Sequence, residues 1–433
     1  MKLKNLFLFP IIFLALFGSC KKDNVAPDGV TPAMARDSLH YIMKEFYYWY
    51  NMPEASSVTE ATKSTYTDPY ELLEAMRYKT LDRWSFVADY NEFLAEMQGT
   101  FVGHGFRIGI DASGNARIVL IYKNSPLYAN GVRRGWIVKK INNTDPVPAL
   151  LNGTYTTLIG PSEAGITNIF VFQKPDGTEV TISSTKSTFT LNTVHLADVI
   201  QLSSGATGHL VFDSFITPSV QELANAFATF KTAGIKDLIL DLRYNTGGYL
   251  NIAQTLASYI AGDSKKGSTF AKLSYNNKHQ EENYTFPFVA TPYSLDLLRV
   301  VVITTRSTAS ASEAVMNGLK PFLNVVSIGD TTNGKPTGMN GWPVAEKYYM
   351  WPITFKMVNS ANQGDYFQGI FPAKVLPDDI TRDFIDKEEL CFKEAIHYLE
   401  TGSVSTKSLM TFKRYPQYSE KPAWMNNAFV LEK

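Results

Sequence analysis

The sequence predicts an α/β protein with a mostly parallel βαβ core in its second half, preceded by a small β domain and a small helical domain. Three observations predict this. From about residue 191, short apolar runs alternate with segments of helical periodicity, as in GHLVFDSF, then TPSVQELANAFATFKTAG, then DLILDLR. Such alternation implies a parallel sheet with right-handed crossovers. Between residues 99 and 190 the texture is instead short strands broken by turn residues, FRIGID, ARIVLIY and WIVKKIN. Between residues 33 and 98, Leu39, Ile42, Met43, Phe46, Tyr47 and Tyr50 fall at helical spacing.

In chain order, Lys2 and Lys4 precede an apolar run from Leu6 to Phe17 that ends at Gly18-Ser19-Cys20. The run is short for a membrane span and polar KKDN follows, so residues 1–20 read as an export signal. Cys20 behind small residues resembles a bacterial lipobox. That resemblance implies a lipoprotein, lipidated at Cys20 and anchored to the cell envelope, at the outer membrane on its periplasmic or surface face. An ordinary signal peptide cut nearby is the alternative. The 433 residues suit two to three domains. With 41 basic and 41 acidic side chains and no basic stripe, a nucleic-acid partner is not expected. Cys20 and Cys391 are the two cysteines. A lipidated Cys20 leaves Cys391 unpaired, as a small core residue of an amphipathic helix.

Residues 21–32 form a polar, Pro/Gly-containing tether. In the helical domain, 33–98, one helix stops at Asn51-Met52-Pro53. A second starts at Asp68-Pro69-Tyr70-Glu71, which supplies an N-cap, a proline at N1 and an acid at N3. Its aromatics, Trp84 among them, are expected to pack a core rather than line a groove. In the β domain, 99–190, SPLYANG gives a short helix capped by Ser125, and NIFVFQKPDGTEVTIS a hairpin around Asp176-Gly177. This stretch resembles a PDZ domain. The resemblance puts GHGF, Gly103, His104, Gly105 and Phe106, in the place of the loop whose N–H groups hold a peptide carboxylate while the peptide joins the sheet edge. A groove filled by the chain's own residues is the competing reading. His104 is expected at the surface.

The core runs from 191 to 405. Thr217 and Pro218 start a helix carrying Val220, Leu223, Phe227 and Phe230, and Gly234 ends it. Asp237–Arg243 and Leu297–Thr305 read as buried strands. The loops after them leave at strand C-termini, where open α/β sheets gather their functional groups. Residues 263–298 read as an exposed hairpin between these loops. Residues 406–433 are a tail with no function assigned by its residues.

Ser310 opens the helix of RSTASASEAVMNGL, where unpaired N–H groups point outward, so it suits a nucleophile beside an anion site. Ser-x-x-Glu is equally a capping box, and alone that reading is preferred. Lys335 changes the balance. It follows Gly334 after another apolar strand, and strand–helix–strand geometry returns it near the helix start. A buried lysine loses charge and can serve as a base for a hydroxyl.

TASASE, Thr308 to Glu313, with Lys335 25 positions beyond Ser310 (335 − 310), resembles the serine–lysine dyad of the C-terminal processing (tail-specific) protease family, and DLRYNTGG, Asp241 to Gly248, its DLRxNxGG loop. The resemblance implies a ClpP/crotonase-like core, Ser310 as nucleophile, Lys335 as general base, and an oxyanion hole from the N–H groups of Gly248 and Ala311. It implies a serine endopeptidase acting on polypeptides near their C-termini, with no cofactor and no metal. Many members have a polar residue four positions after the lysine, where this chain has Met339. Glu313 and Asn340 are then the candidates for orienting the lysine. Two other readings stay open: a non-catalytic peptide-binding scaffold, and an acyl-transfer or esterase activity at the same dyad. Gly329-x4-Gly334-Lys335 nearly spells a phosphate loop, but Pro336 stands where a Ser/Thr should follow.

Overall fold

The computed structural model describes residues 29–406, 412–420 and the backbone of 429–430. The expected export signal, the lipidation at Cys20 and most of the tether lie outside the described residues. Among the described residues no helix is long and apolar enough to cross a membrane.

The core sheet has six strands in the order Lys374–Val375, Asn324–Gly329, Arg299–Thr304, Asp237–Asp241, Gly205–Phe212, Val194–Leu202. Every neighbouring pair is parallel except the last, which is antiparallel. Side-chain alternation divides the strands between two cores. Leu238, Leu240, Val300 and Val302 join the large cluster containing the helices Ser219–Ala233, Leu250–Ala261 and Ala311–Leu319. Ile239, Val301, Ile303 and Ile328 face the helix Leu390–Thr401 through Cys391, Phe392, Ala395 and Leu399. A parallel sheet buried on both faces needs such unbroken apolar runs. Cys391 is 2 % exposed, as its helical pattern predicts.

The helix Ser219–Ala233 begins later than Thr217 predicts, with Pro218 at the N-cap position. Val220 is 58 % exposed, because the buried stripe runs through Leu223, Ala226, Phe227 and Phe230 instead. The first helix, Pro32–Glu45, also ends before the predicted Tyr50. The chain leaves it so that the Tyr48 N–H donates to the Ile353 carbonyl (2.8 Å) and the Tyr47 hydroxyl to Asp82 (2.8 Å). The stretch predicted as helical, 33–98, also contains a strand, Phe86–Asp89, paired antiparallel with Tyr348–Trp351. Its side chains share the large core cluster.

Residues 263–298 do form a hairpin, Thr269–Tyr275 with Tyr284–Pro287, but it is built in. It pairs with Ile353–Val358 and buries Phe270, Leu273 and Phe288. The second sheet runs in the order Gly248–Tyr249, Phe429–Val430, Thr337–Met339, Ile353–Val358, then this hairpin.

The small β domain has its own core around Ile108, Ile118, Val138, Phe170 and Phe172. Its sheet runs Gln417–Ser419, Phe106–Ile110, Ala116–Ile121, Ile137–Ile141, Thr167–Gln173, Glu179–Thr185. The first of these strands comes from the C-terminal tail. Ser125 caps the short helix Pro126–Ala129, accepting from the Tyr128 N–H at 3.2 Å.

Candidate active site

Three parallel strands deliver the site. Asp237–Asp241 leads into the loop ending at Gly248, Arg299–Thr304 into the turn before Ser310, and Asn324–Gly329 into the loop carrying Lys335. All three strands run parallel and so leave from one end of the sheet, as the sequence predicts for the first two.

Ser310 is the N-cap of Ala311–Leu319 and sits at φ 61°, ψ −114°, a conformation that non-glycine residues rarely hold. The surroundings enforce it. The Ala309 N–H donates to the Asn245 carbonyl at 3.1 Å and the Ser312 hydroxyl to the same carbonyl at 3.1 Å. Asn245 is held in turn, its side-chain amide on the Phe212 carbonyl at 3.2 Å and its Oδ1 accepting the Gly247 N–H at 2.9 Å. The Thr308 hydroxyl donates to the Leu242 carbonyl at 2.8 Å. The loop of DLRYNTGG is thus the splint of the serine turn.

Glu313 has the capping-box arrangement that the Ser-x-x-Glu motif predicts. The Ser310 oxygen lies over the first helical turn as in a capping box, yet among the described residues it makes no hydrogen bond, and the residue is 0 % exposed. The glutamate does far more than cap. Its Oε2 accepts the Ser310 N–H at 2.9 Å and the Lys335 N–H at 2.8 Å; its Oε1 accepts the Gly334 N–H at 2.6 Å and the Thr332 hydroxyl at 2.5 Å. One carboxylate oxygen therefore ties the backbones of Ser310 and Lys335 together across 25 positions. Burial raises the Glu313 pKa, and the donated hydrogen bonds work against that rise.

Lys335 is also 0 % exposed. Its Nζ lies 3.7 Å from Met339 Sδ and 6.0 Å from the centre of the Trp84 ring. Desolvation lowers its pKa from 10.5 to about 7, against the opposing pull of Asp82 and Glu313. The thioether occupies the position where the resemblance anticipates a polar partner. Asn340, the other orienting candidate, turns elsewhere: its N–H donates to Thr354 Oγ1 at 3.0 Å, and Thr354 Oγ1 donates back to its Oδ1 at 2.7 Å.

The sequence reading missed Asp82. It is 1 % exposed and accepts from the Tyr47 and Ser85 hydroxyls (2.8 and 2.5 Å) and from the Trp84 and Ser85 N–H groups (2.9 Å each). Trp84 Nε1 donates to Asn333 Oδ1 at 3.1 Å and Arg83 to the Asn333 carbonyl at 2.7 Å, which fastens this segment to the lysine loop. In the sequence, Asp82-Arg83-Trp84-Ser85 carries only a turn signal.

Gly248 has φ 137°, and a Cβ there would run into the Phe215 carbonyl, so the glycine is required by both conformation and space. Gly248–Tyr249 pairs in parallel with the backbone of Phe429–Val430, and Met339 pairs with Val430. The tail's backbone therefore runs between the glycine loop and the strand after Lys335. Ala311, also 0 % exposed, is the first residue of the helix.

Gly103, His104, Gly105 and Phe106 lie in the small β domain. The His104 and Gly105 N–H groups donate to Glu420 Oε2 at 2.8 and 3.0 Å. The expectation of a surface histidine is overturned: His104 is 0 % exposed. Its Nε2 lies 2.7 Å from Asn168 Oδ1 and its Nδ1 2.9 Å from Ser184 Oγ. The loop's amides point at the buried Glu420 carboxylate, while the ring lies against the strands that carry Asn168 and Ser184. With a carbonyl oxygen facing it, Nε2 carries the proton, and Nδ1 accepts from the serine. Desolvation lowers the His104 pKa to about 4.

Residues 206–378 match the family described as Peptidase family S41, and residues 40–86 match Peptidase S41 N-terminal domain. The chain is 22% identical over 311 residues to the carboxy-terminal processing protease CtpB of Bacillus subtilis, covering 71% of this chain and 60% of that protein. It is 26% identical over 257 residues to CtpA of the same organism, covering 56% and 48%. The chain thus spans 60% and 48% of the length of these two relatives. Its fold is similar to the crystal structure of a putative S41 protease from Bacteroides fragilis, with TM-score 0.68 at 22% identity over 84% of this chain and 97% of that one. It is also similar to the photosystem II D1 C-terminal processing protease, with TM-score 0.50 at 16% identity over 84% and 97%.

Proposed function

We propose that this chain, which belongs to peptidase family S41, is a serine endopeptidase that cleaves polypeptides near their C-termini with Ser310 as nucleophile and Lys335 as general base. The observation that carries this reading is the shared Glu313 oxygen. It draws together the backbones of a strained serine, whose hydroxyl has no hydrogen-bond partner among the described residues, and of a buried lysine whose pKa is lowered to about 7.

The chemistry follows from those groups. Uncharged Lys335 takes the proton from Ser310 Oγ as the oxygen attacks a peptide carbonyl. The Gly248 and Ala311 N–H groups stabilise the oxyanion, since preorganised donors cost no reorganisation as charge develops. The lysine ammonium returns the proton to the departing amine, and water then hydrolyses the acyl-enzyme by the reverse sequence. We further propose a lipoprotein held at the cell envelope through Cys20, with a PDZ-like domain over residues 99–190 that presents substrate.

Cleavage of casein and of tailed peptides by the wild type and by Ser310→Ala tests the reading. Turnover that survives the substitution, or is absent from both proteins with every substrate, would leave the non-catalytic scaffold as the better account. Small ester substrates run alongside would separate a peptidase from an acyl-transfer or esterase activity.

A further inference from the structure

The edge strand of the small β domain is already occupied. Gln417, Tyr418 and Ser419 pair antiparallel with Gly109, Ile108 and Arg107. Tyr418 packs on the domain core and on the Tyr155 ring, 5.8 Å between centres. The next residue, Glu420, ends this strand with its side chain 2 % exposed. One carboxylate oxygen takes the His104 and Gly105 amides, and the other lies 3.4 Å from the Nζ of Lys186, itself 0 % exposed at the side chain. Lys186 also donates to the Gly160 and Pro161 carbonyls at 2.9 and 2.7 Å. A Cβ at Gly103 would collide with the Glu420 carboxylate, so the loop is shaped for that group. Two further ties fasten the tail to the core: Arg414 to Asp330, with Nη2 to Oδ1 at 2.7 Å, and Gln417 Nε2 to Asp378 Oδ2 at 3.2 Å. Nine residues further on, the backbone of 429–430 lies between the Gly248 and Met339 strands.

We infer that residues 414–420 are the resident ligand of a carboxylate-selective peptide site made by the Phe106–Ile110 edge, the His104 and Gly105 amides and Lys186, and that this tail competes there with extended peptides bearing a carboxylate at the equivalent position. Two amides and an ammonium on one carboxylate form a charge-assisted set that a neutral amide cannot satisfy. Lys186 gives the site a cation in addition to its loop amides. Because the same tail continues into the cleft, a peptide that displaces Glu420 also loosens the segment crossing Gly248. Binding tests the inference without any cleavage; only its consequence for turnover rests on the peptidase reading.

The experiment uses the full chain carrying Ser310→Ala, with and without Glu420→Lys, which sets a cation against Lys186 and expels the tail. The probe is a labelled peptide of the chain's own sequence RYPQYSE with a free C-terminus, alongside a control with Gln in the last place and an amidated end. The Glu420→Lys protein should bind the acidic peptide at least about tenfold more tightly than its parent, and the control peptide hardly at all. Amide exchange at residues 107–109 should speed up in the same variant, while exchange in Arg299–Thr304 stays slow as the check on folding. Equal affinity in the two proteins, equal affinity for the two peptides, or an unchanged exchange rate at 107–109 would each overturn the inference. With Ser310 restored, Glu420→Lys should cleave a reporter peptide faster. An unchanged rate beside intact peptide binding would overturn the link to the cleft, whereas no cleavage by any variant would count against the peptidase reading alone.

Discussion

Among the described residues, the side chains of Lys186 and Lys335 are fully buried, and their surroundings set them apart. Around Lys186 stand three oxygens, the Gly160 and Pro161 carbonyls and the Glu420 carboxylate. The surroundings of Lys335 include a thioether and the face of an indole, with the carboxylates of Asp82 and Glu313 acting through charge. Oxygen acceptors replace the water that an ammonium gives up on burial; sulfur and carbon do not. The two lysines are buried against different chemistry, and Met339 is part of the wall that desolvates Lys335.

The largest effect should come from breaking the Lys335 side of this comparison. Lys335→Ala and Ser310→Ala should each lower kcat for peptide cleavage by about 10⁴-fold or more, since members of such a unit act together. Lys335→Arg should fail equally, because a guanidinium stays protonated. A single-turnover assay checks both. Retained activity in Lys335→Ala would transfer the base role to another group.

Next is Glu313. Four donors converge on its carboxylate, and glutamine offers one acceptor oxygen and brings two donors of its own. Glu313→Gln should destabilise the fold by about 1–3 kcal/mol in denaturant titration. It should also lower activity more than that loss of folded protein explains, because the serine turn and the lysine loop lose their common anchor.

The pH dependence is smaller and more diagnostic. In the proposed mechanism Lys335 must be neutral to accept a proton, so kcat/KM should rise with pH through about 7, the value to which burial lowers it. Met339→Gln would put an oxygen acceptor beside the ammonium, favour the charged form and move that limb to higher pH; Met339→Leu should leave it in place. Stability runs with the same sign. The folded pKa lies below the ordinary 10.5, so the cost of burying the charge is fully present below about pH 7 and fades as pH rises toward 10.5. Lys335→Met should accordingly raise the melting temperature more at pH 6 than at pH 9.

Much of this arrangement was legible in the sequence, and the remainder was hidden for physical reasons. Strands such as Asp237–Asp241 and Arg299–Thr304 announce themselves because burial on both faces demands an unbroken apolar run. The serine turn, the lysine loop and the glycine loop were legible as local structure because a turn, a helix start and a strand end each have local signatures, whereas the roles assigned to Ser310 and Lys335 came from the family resemblance. Asp82 was not, because its influence on Lys335 depends on how a separate N-terminal segment packs, and local spacing does not encode that. Glu313 could be read only as a cap, since three of its four donors lie 19 to 22 positions away. The docking of Gln417–Ser419 on a strand more than 300 positions earlier left no mark beyond a mixed Pro and aromatic composition.

The smallest expected effect lies on the Lys186 side, where His104 is the titratable neighbour that could blur the comparison. Its ring is enclosed by Asn168, Ser184 and the Phe170 ring, 5.0 Å away between centres. Desolvation, with Lys186 adding to it, lowers its pKa to about 4, so it stays neutral across the range where histidines ordinarily titrate. Binding of the acidic peptide by the Glu420→Lys protein should thus show no inflection between pH 5 and pH 8, followed by anisotropy titration in buffers of constant ionic strength. An inflection near pH 6.5, the ordinary histidine value, would mean that the ring gains a proton when the tail leaves. The amides would then share the carboxylate with a second cation, and the oxygen-lined setting of Lys186 would describe only the closed state of the site.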